Sequence, residues 1–353
     1  MANSQTYPQE RVRIFDREGF TVAEFRASVE RSLVIGGEGR AEFNYPSRKT
    51  DIVNDKVLRF GNWLLVESDS LPAWVGVIDT PRAWSPRVVA VHAYTPDRVF
   101  GWRRGPLEEK LVGSAGAIFE KLIVKVNQPE TTVIRAGDIW RGGVQMEETI
   151  NPTPLAEDLQ RIVERSGEEY SFRPETDSSG RLVIYADWVQ RLGEDTTALL
   201  HEGKGGGNIE SLNDVFVEDG DIVNDVLAYG DGLSWKSKPT QIVSDPKSGQ
   251  RYGLRQTSEA FSGVSNTTTL KNNGTERLQQ SAETIKLFHV NALNVGDTYK
   301  YLRLGNRLAL RLENIGFIGG GLGFETNVRI AGMVMSSEEK NVVELVLEEV
   351  IYV

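Results

Sequence analysis

Leu58-Arg59-Phe60-Gly61-Asn62-Trp63-Leu64-Leu65-Val66 has a counterpart far along the chain, Leu302-Arg303-Leu304-Gly305-Asn306-Arg307-Leu308-Ala309-Leu310. Both read Leu-Arg-x-Gly-Asn followed by an apolar stretch. The surroundings match in order as well. An alternating strand stands upstream of each, at 41–45 in the first case and 284–290 in the second. A strand with a central glycine stands downstream, Trp74-Val75-Gly76-Val77-Ile78 in one and residues 328–334 around Gly332 in the other. Glycine within a strand marks a bulge or a sharp bend at a barrel corner. The shared order predicts two similar β-barrels. The second copy has the longer connection, which holds Gly316, Gly319, Gly320, Gly321 and Gly323. The word Asp51–Asp55 recurs at Asp221–Asp225, but its flanks do not match, and it reads as coincidence.

Outward from these anchors, short strands separated by turn residues fill the first hundred positions, as in a barrel or sandwich. Residues 12–15 and 20–22 flank the turn Asp16-Arg17-Glu18-Gly19. Strands follow at 32–35, at 40–45, at 57–66 with an interruption at Gly61-Asn62, at 74–78 and at 88–94. Composition changes after Gly105. Pro106 suits a first helical position, and Leu107, Leu111, Val112, Ala115, Ile118 and Leu122 recur at helical spacing to about Val126. A second helix carries Leu155, Leu159, Ile162 and Val163 and stops at Ser166-Gly167. A hairpin follows, 169–174 and 181–188 around Asp177-Ser178-Ser179-Gly180.

The predicted fold is therefore mainly β with an α+β insert. The expected division is a first β-barrel at 1–104, an α+β domain at 105–200, and a second β-barrel at 201–225 and 283–353. A polar loop and helix insertion occupies 226–282. In the second half, strands are expected at 209–218, 284–290, 301–312, 328–334 and 342–353. A short helix or turn is expected at 222–229 and a weak helix at 267–282.

Composition narrows the chemistry. The 353 residues include no cysteine, so thiol catalysis, disulfides, and cysteine-bound zinc or iron–sulfur sites are excluded. Fifty acidic against 40 basic residues give a net charge of −10, which argues against a basic nucleic-acid footprint. No uncharged apolar stretch approaches the ~18 residues needed to span a bilayer. Residues 1–10 are polar and read as no secretory signal.

The motif-like stretches fail on spacing. Gly203 to Asn208 lacks the P-loop interval, and Gly316 to Gly323 lies between strands, so the dinucleotide fingerprint is not met. His92, His201 and His289 stand far apart and read as ordinary residues. Glu218, Asp219, Asp221 and Asp225 form an acidic cluster, but Val215 and Val217 occupy positions where a calcium loop needs oxygen ligands. It reads as a solvated loop, with an ion near Asp219 and Asp221 left open. Glu147-Glu148, Glu168-Glu169 and Glu194-Asp195 are adjacent carboxylates of a kind expected by composition alone. No cofactor is expected. Trp63, Trp74 and Trp84 read as packing, and Trp102-Arg103-Arg104 as the exit from the first barrel.

The order of these parts resembles the hub protein of phage tail tips and baseplates and of related contractile injection systems. The likeness rests on several stretches. Residues 74–78 resemble the family's W-x-G-x-I strand. Residues 88–94, with Asp97-Arg98-Val99-Phe100 and Arg103-Arg104, resemble the next strand and its exit. Gly203-Lys204 leading to Ile222-Val223-Asn224 resembles a family connection, as do Asp245, Ser248 and Tyr252-Gly253. Val328-Arg329-Ile330-Ala331-Gly332 resembles the R-I-x-G strand of the second barrel.

The resemblance implies a virion structural protein made in the host cytoplasm, without enzymatic activity. It implies a homotrimer whose six similar barrels adapt threefold to sixfold symmetry and line a DNA ejection channel. The implied partners are the distal tail or tube protein, the tape-measure protein, and a central fibre or spike. DNA would pass without specific binding, and the chain would not enter a membrane. The chain is short for the family, with no evident room for an appended peptidase, lysozyme or spike domain. The alternatives are a receptor- or carbohydrate-binding virion module and a tail-associated glycan hydrolase. The repeat positions on which the reading stands are Leu58, Gly61, Asn62, Trp74, Gly76, Leu302, Gly305, Asn306, Arg329 and Gly332.

Overall fold

The computed structural model describes residues 10–46, 56–69, 71–84, 88–143, 145–202, 207–218, 222–232, 234–261, 264–281, 285–295, 298–313, 323–336 and 342–350. The chain divides into two compact units, residues 1–214 with 288–353, and residues 215–287.

In the first unit the opening strands are β1 Glu10–Phe15, β2 Thr21–Ala27, β3 Val29–Val34, β4 Arg40–Pro46, β5 Trp63–Glu67, β6 Trp74–Trp84 and β7 Val88–Tyr94. They pair in the order β2-β1-β5-β6-β7-β4-β3. The β1–β2 turn forms because the Asp16 carboxylate accepts the amides of Glu18 and Phe20. Residues 63–66 are all buried. Leu64 and Val66 join Ile14, Trp74 and Ile78 on one face, while Trp63 and Leu65 join Phe15, Val75 and Val77 on the other. A strand covered on both faces reads as a continuous apolar run rather than an alternation.

The cover on the second face is the α+β segment. It comprises α1 Asp97–Gly101, β8 Glu109–Ser114, α2 Ala115–Asn127, β9 Ile134–Ile139, β10 Gln145–Ile150, α3 Leu155–Ser166, β11 Glu169–Thr176 and β12 Leu182–Val189. Phe100, Phe119, Tyr170 and Trp188 share one core with Phe15, Trp63 and Val77. The chain then forms β13 Asp195–His201 and β14 Ile209–Glu218, and, beyond the second unit, β18 Ile285–Leu293, β19 Arg307–Leu312, β20 Phe324–Ser336 and β21 Val342–Glu349.

The mainly β class with an α+β segment is as expected. Among the described residues no ring of pairings closes, and both halves belong to one 13-stranded sheet. The halves join at β3, one edge of which pairs with β4 and the other with β20, from Gly332↔Val34 to Ser336↔Glu30.

Three expectations are corrected. The helix read from Pro106 begins only at Ala115, because residues 109–114 pair with β10 and Ser114 caps the helix by accepting the Ala117 amide. Leu107 and Val112, placed on that helix's apolar stripe, are 88% and 62% exposed. The stretches 57–66 and 301–312 are not strands throughout. Each is a turn up to its Gly-Asn pair and a strand only from the following residue. The helix or turn expected at 222–229 is instead a strand, since Val226 and Ala228 alternate into a core.

That strand belongs to the second unit, which holds β15 Asp225–Tyr229, β16 Thr240–Ser244, α4 Pro246–Tyr252, β17 Gln256–Ala260 and α5 Thr267–Ser281. Its sheet runs β16-β15-β17, antiparallel on one side and parallel on the other. Helix α5 is rich in Thr, Asn and Gln and intrinsically weak. It forms because Leu270, Gly274 and Leu278 fall on one face and pack on Val226, Ala228 and Val243.

Candidate functional site

The two Gly-Asn turns are the same structure built twice. Gly61 and Gly305 have φ of +84° and +81°, a region open to glycine and costly for other residues. The Gly61 amide donates to the Ile78 carbonyl at 3.0 Å, and the Gly305 amide to the Ile330 carbonyl at 2.8 Å. In return Ile78 N–H donates to the Asn62 carbonyl at 2.8 Å, and Ile330 N–H to the Asn306 carbonyl at 3.0 Å. The Asn62 and Asn306 amides close the turns on the carbonyls of Arg59 and Arg303. Both asparagine side chains tie the preceding loop, Asn62 to the Lys56 and Val57 carbonyls and Asn306 to that of Tyr301. Leu58 and Leu302 are buried beneath. Leu-Arg-x-Gly-Asn thus encodes an apolar anchor, a left-handed hinge and an amide that satisfies the loop's own carbonyls.

The downstream glycines differ. A side chain on Gly76 would collide with the Trp74 indole and the Tyr94 carbonyl, so this close approach needs glycine. Trp74 itself is buried and donates from Nε1 to the Ser32 carbonyl at 3.0 Å. Gly332 has ordinary room, 3.5 Å to Val346, and lies where the β20–β21 register shifts.

Arg329 is fixed over the second turn. It is 3% exposed, donates to both Glu169 oxygens and, at 3.2–3.3 Å, to the Leu192 and Gly305 carbonyls. The Glu194 amide donates to Asn306 Oδ1 at 3.1 Å, so residues 192–194 close over this turn. The first turn is covered instead by the Arg17 side chain, which donates to the Phe60 carbonyl at 3.2 Å.

The titratable residues singled out by sequence do not converge. His92 lies 3.3 Å from Glu42, His201 lies 3.0 Å from Glu313, and His289 is on β18. The adjacent carboxylates are taken up locally. Glu147 pairs with Lys110, Glu148 with Arg161 and Arg165, Glu169 with Arg329, and Asp195 with Arg307, while Glu168 accepts from the Trp188 indole. Among the described residues no group of three His, Asp or Glu could hold a metal ion. Asp225 accepts from Ser244 and Gln256. Asp219, Asp221, residues 203–206, the glycines 316–321, and Asp51–Asp55 lie outside the described residues. The Trp84 side chain also lies outside them.

Sequence reasoning missed Asp97 as a buried acid, since helical spacing does not show which side chain faces inward on a five-residue helix. Burial pushes its carboxyl up to about 6. One oxygen accepts from the Tyr170 hydroxyl at 3.4 Å and the other has no partner. Tyr170 is itself raised by burial and by Asp97. Because the folded pKa lies above the unfolded value, the protonated acid favours the fold. That stability is complete below pH ~4 and lost as pH rises through about 6. Asp97→Asn should therefore gain about 2–3 kcal/mol at pH 8 and almost nothing at pH 4 in paired urea titrations. Equal effects at both pH values would refute the buried acid.

Comparison with solved structures places this architecture. The tail protein from Neisseria meningitidis MC58 superposes with a TM-score of 0.61 at 15% identity, covering 96% of each chain. The prophage tail protein gp18 from Listeria monocytogenes EGD-e gives 0.60 at 11% identity, covering 96% of this chain and 94% of its own. The chain has the fold of these tail proteins. The 43 kDa tail protein of prophage MuSo2 from Shewanella oneidensis shares it at a TM-score of 0.57, 11% identity, and 96% and 98% coverage. No protein-family model and no curated protein sequence matches the chain.

Proposed function

We propose that the chain is the structural hub of a phage tail tip or baseplate, acting as a homotrimer with no chemical step. The observation that carries this reading is the duplicated turn frame within one chain. Three chains that each carry two like modules present six similar positions to a sixfold tube and three to whatever lies below. Residues 1–104 supply one module, residues 201–225 and 283–353 the other, residues 105–200 a peripheral domain, and 226–282 an insertion. Closed cyclic assembly also covers strand edges that would otherwise stay open to other chains. Among the described residues the sheet ends at β2, β13 and β14.

In this reading the distal tail or tube ring binds above, the tape-measure end lies inside, and a central fibre or spike binds below. The net charge of −10 suits an exit channel, because acidic walls do not gain the counterion-release affinity that holds DNA on basic ones. Light scattering of the purified protein should give three times 39.3 kDa at both low and high salt. A monomer at both salts would count against the ring. Antibody labelling of particles along the tail shaft instead of at its tip would overturn the hub assignment.

A further inference from the structure

A cleft of about 230 Å³ opens beside the first Gly-Asn turn. Phe60, Trp63 and Trp102 line it, with the Phe60 and Trp102 rings 4.9 Å apart. Its polar lining is a charged bridge. Glu130 lies 3.2 Å from Arg103 and 3.8 Å from Arg17. The second turn has no equivalent. Leu304 and Arg307 stand where the first has Phe60 and Trp63, and the Leu192–Gly193 backbone fills the space beside Gly305. Among the described residues the cleft thus belongs to the first turn and not to the second.

Its two kinds of lining set the ligand. The exposed Phe60 ring and the half-buried Trp102 ring offer apolar surface to C–H groups. Glu130 keeps lone pairs beyond those that meet the guanidiniums, and Arg103 keeps N–H groups beyond those on Glu130 and Val126. A wholly apolar ligand would strip water from these charges without replacing its hydrogen bonds. A neutral pyranose satisfies both demands, with its C–H face on the rings and its hydroxyls on the charged bridge. Size agrees. An engineered cavity of ~150 Å³ holds benzene, so this cleft has room for one six-membered ring with its substituents. We propose that the cleft is a binding site for a single neutral pyranose residue of a glycan.

The test is saturation-transfer NMR on the full chain with the methyl glycosides of glucose, galactose, mannose and N-acetylglucosamine. At least one should bind saturably with Kd about 1–10 mM. Trp102→Ala should weaken it by about tenfold or more, and Glu130→Ala by about fivefold. Trp235→Ala removes a ring that is 61% exposed and remote in sequence, and should leave binding unchanged. Glu130 is exposed, so its variant decides the matter even if Trp102→Ala fails to fold. No saturable binding by any of the four glycosides overturns the proposal. So does binding that survives Glu130→Ala or disappears with Trp235→Ala. Each outcome is independent of oligomeric state, so the hub assignment and the sugar site can fail separately.

Discussion

Replacing Arg329 by methionine should destabilise the first unit by about 3–5 kcal/mol, because the change leaves Glu169 buried without its cation. The Glu169 side chain is only 12% exposed and faces the guanidinium through both oxygens. The same guanidinium satisfies the Leu192 and Gly305 carbonyls, so the second turn loses its cover as well. For a unit of this size the melting temperature should fall by roughly 10 °C. Arg329→Lys should recover only part of this, since an ammonium cannot reproduce the planar two-pronged contact. The double variant Arg329→Met with Glu169→Met separates the pair's own contribution from the cost of an orphaned charge. It should be markedly more stable than Arg329→Met alone. Thermal melts followed by near-ultraviolet circular dichroism make the comparison. A single variant that melts within 1–2 °C of the parent would show that the pair is not structural.

Trp188→Ala should cost about 3–5 kcal/mol from lost packing, the range for large aromatic deletions in cores. Trp188 is fully buried, with its ring centroid 4.8 Å from that of Phe119. It also donates from Nε1 to Glu168, a carboxylate only 4% exposed. Trp188→Phe isolates the polar part and should cost about 1–3 kcal/mol, the penalty for a buried acceptor that loses its donor. Urea titration reads both, as a shifted midpoint with the slope unchanged. Equal costs for Ala and Phe would mean that the hydrogen bond carries the whole effect and the ring's volume none.

Much of the framework was legible because it is local. The strand β4 and the helix α3 follow from alternation and from a period near 3.6 with a terminal glycine, signals that neighbours in space do not alter. The Gly-Asn repeat was legible as a word, and its hydrogen-bond frame gives that word a physical meaning. The errors share a cause. Leu107 to Leu122 kept helical spacing across the junction at Ser114, where β10 captures the first half as a strand. Pairing between residues some thirty positions apart leaves no periodic trace. The seam that joins the two halves was hidden for a similar reason, since the β20 partner of β3 lies about three hundred residues away. At the site, the charged residues of the cleft, Arg17, Arg103 and Glu130, come from three separate segments and carry no common spacing. Glu169 could be seen as a carboxylate, but nothing near it in sequence announces Arg329.

The seam between β3 and β20 also has a mechanical side. A pull on one half of the first unit reaches the other through five register pairs of backbone, Gly332↔Val34 to Ser336↔Glu30, and not through a linker free to stretch. The strands that follow the two copies of the turn therefore lie in one continuous hydrogen-bonded sheet, where a force on one copy falls on backbone hydrogen bonds before it reaches the other.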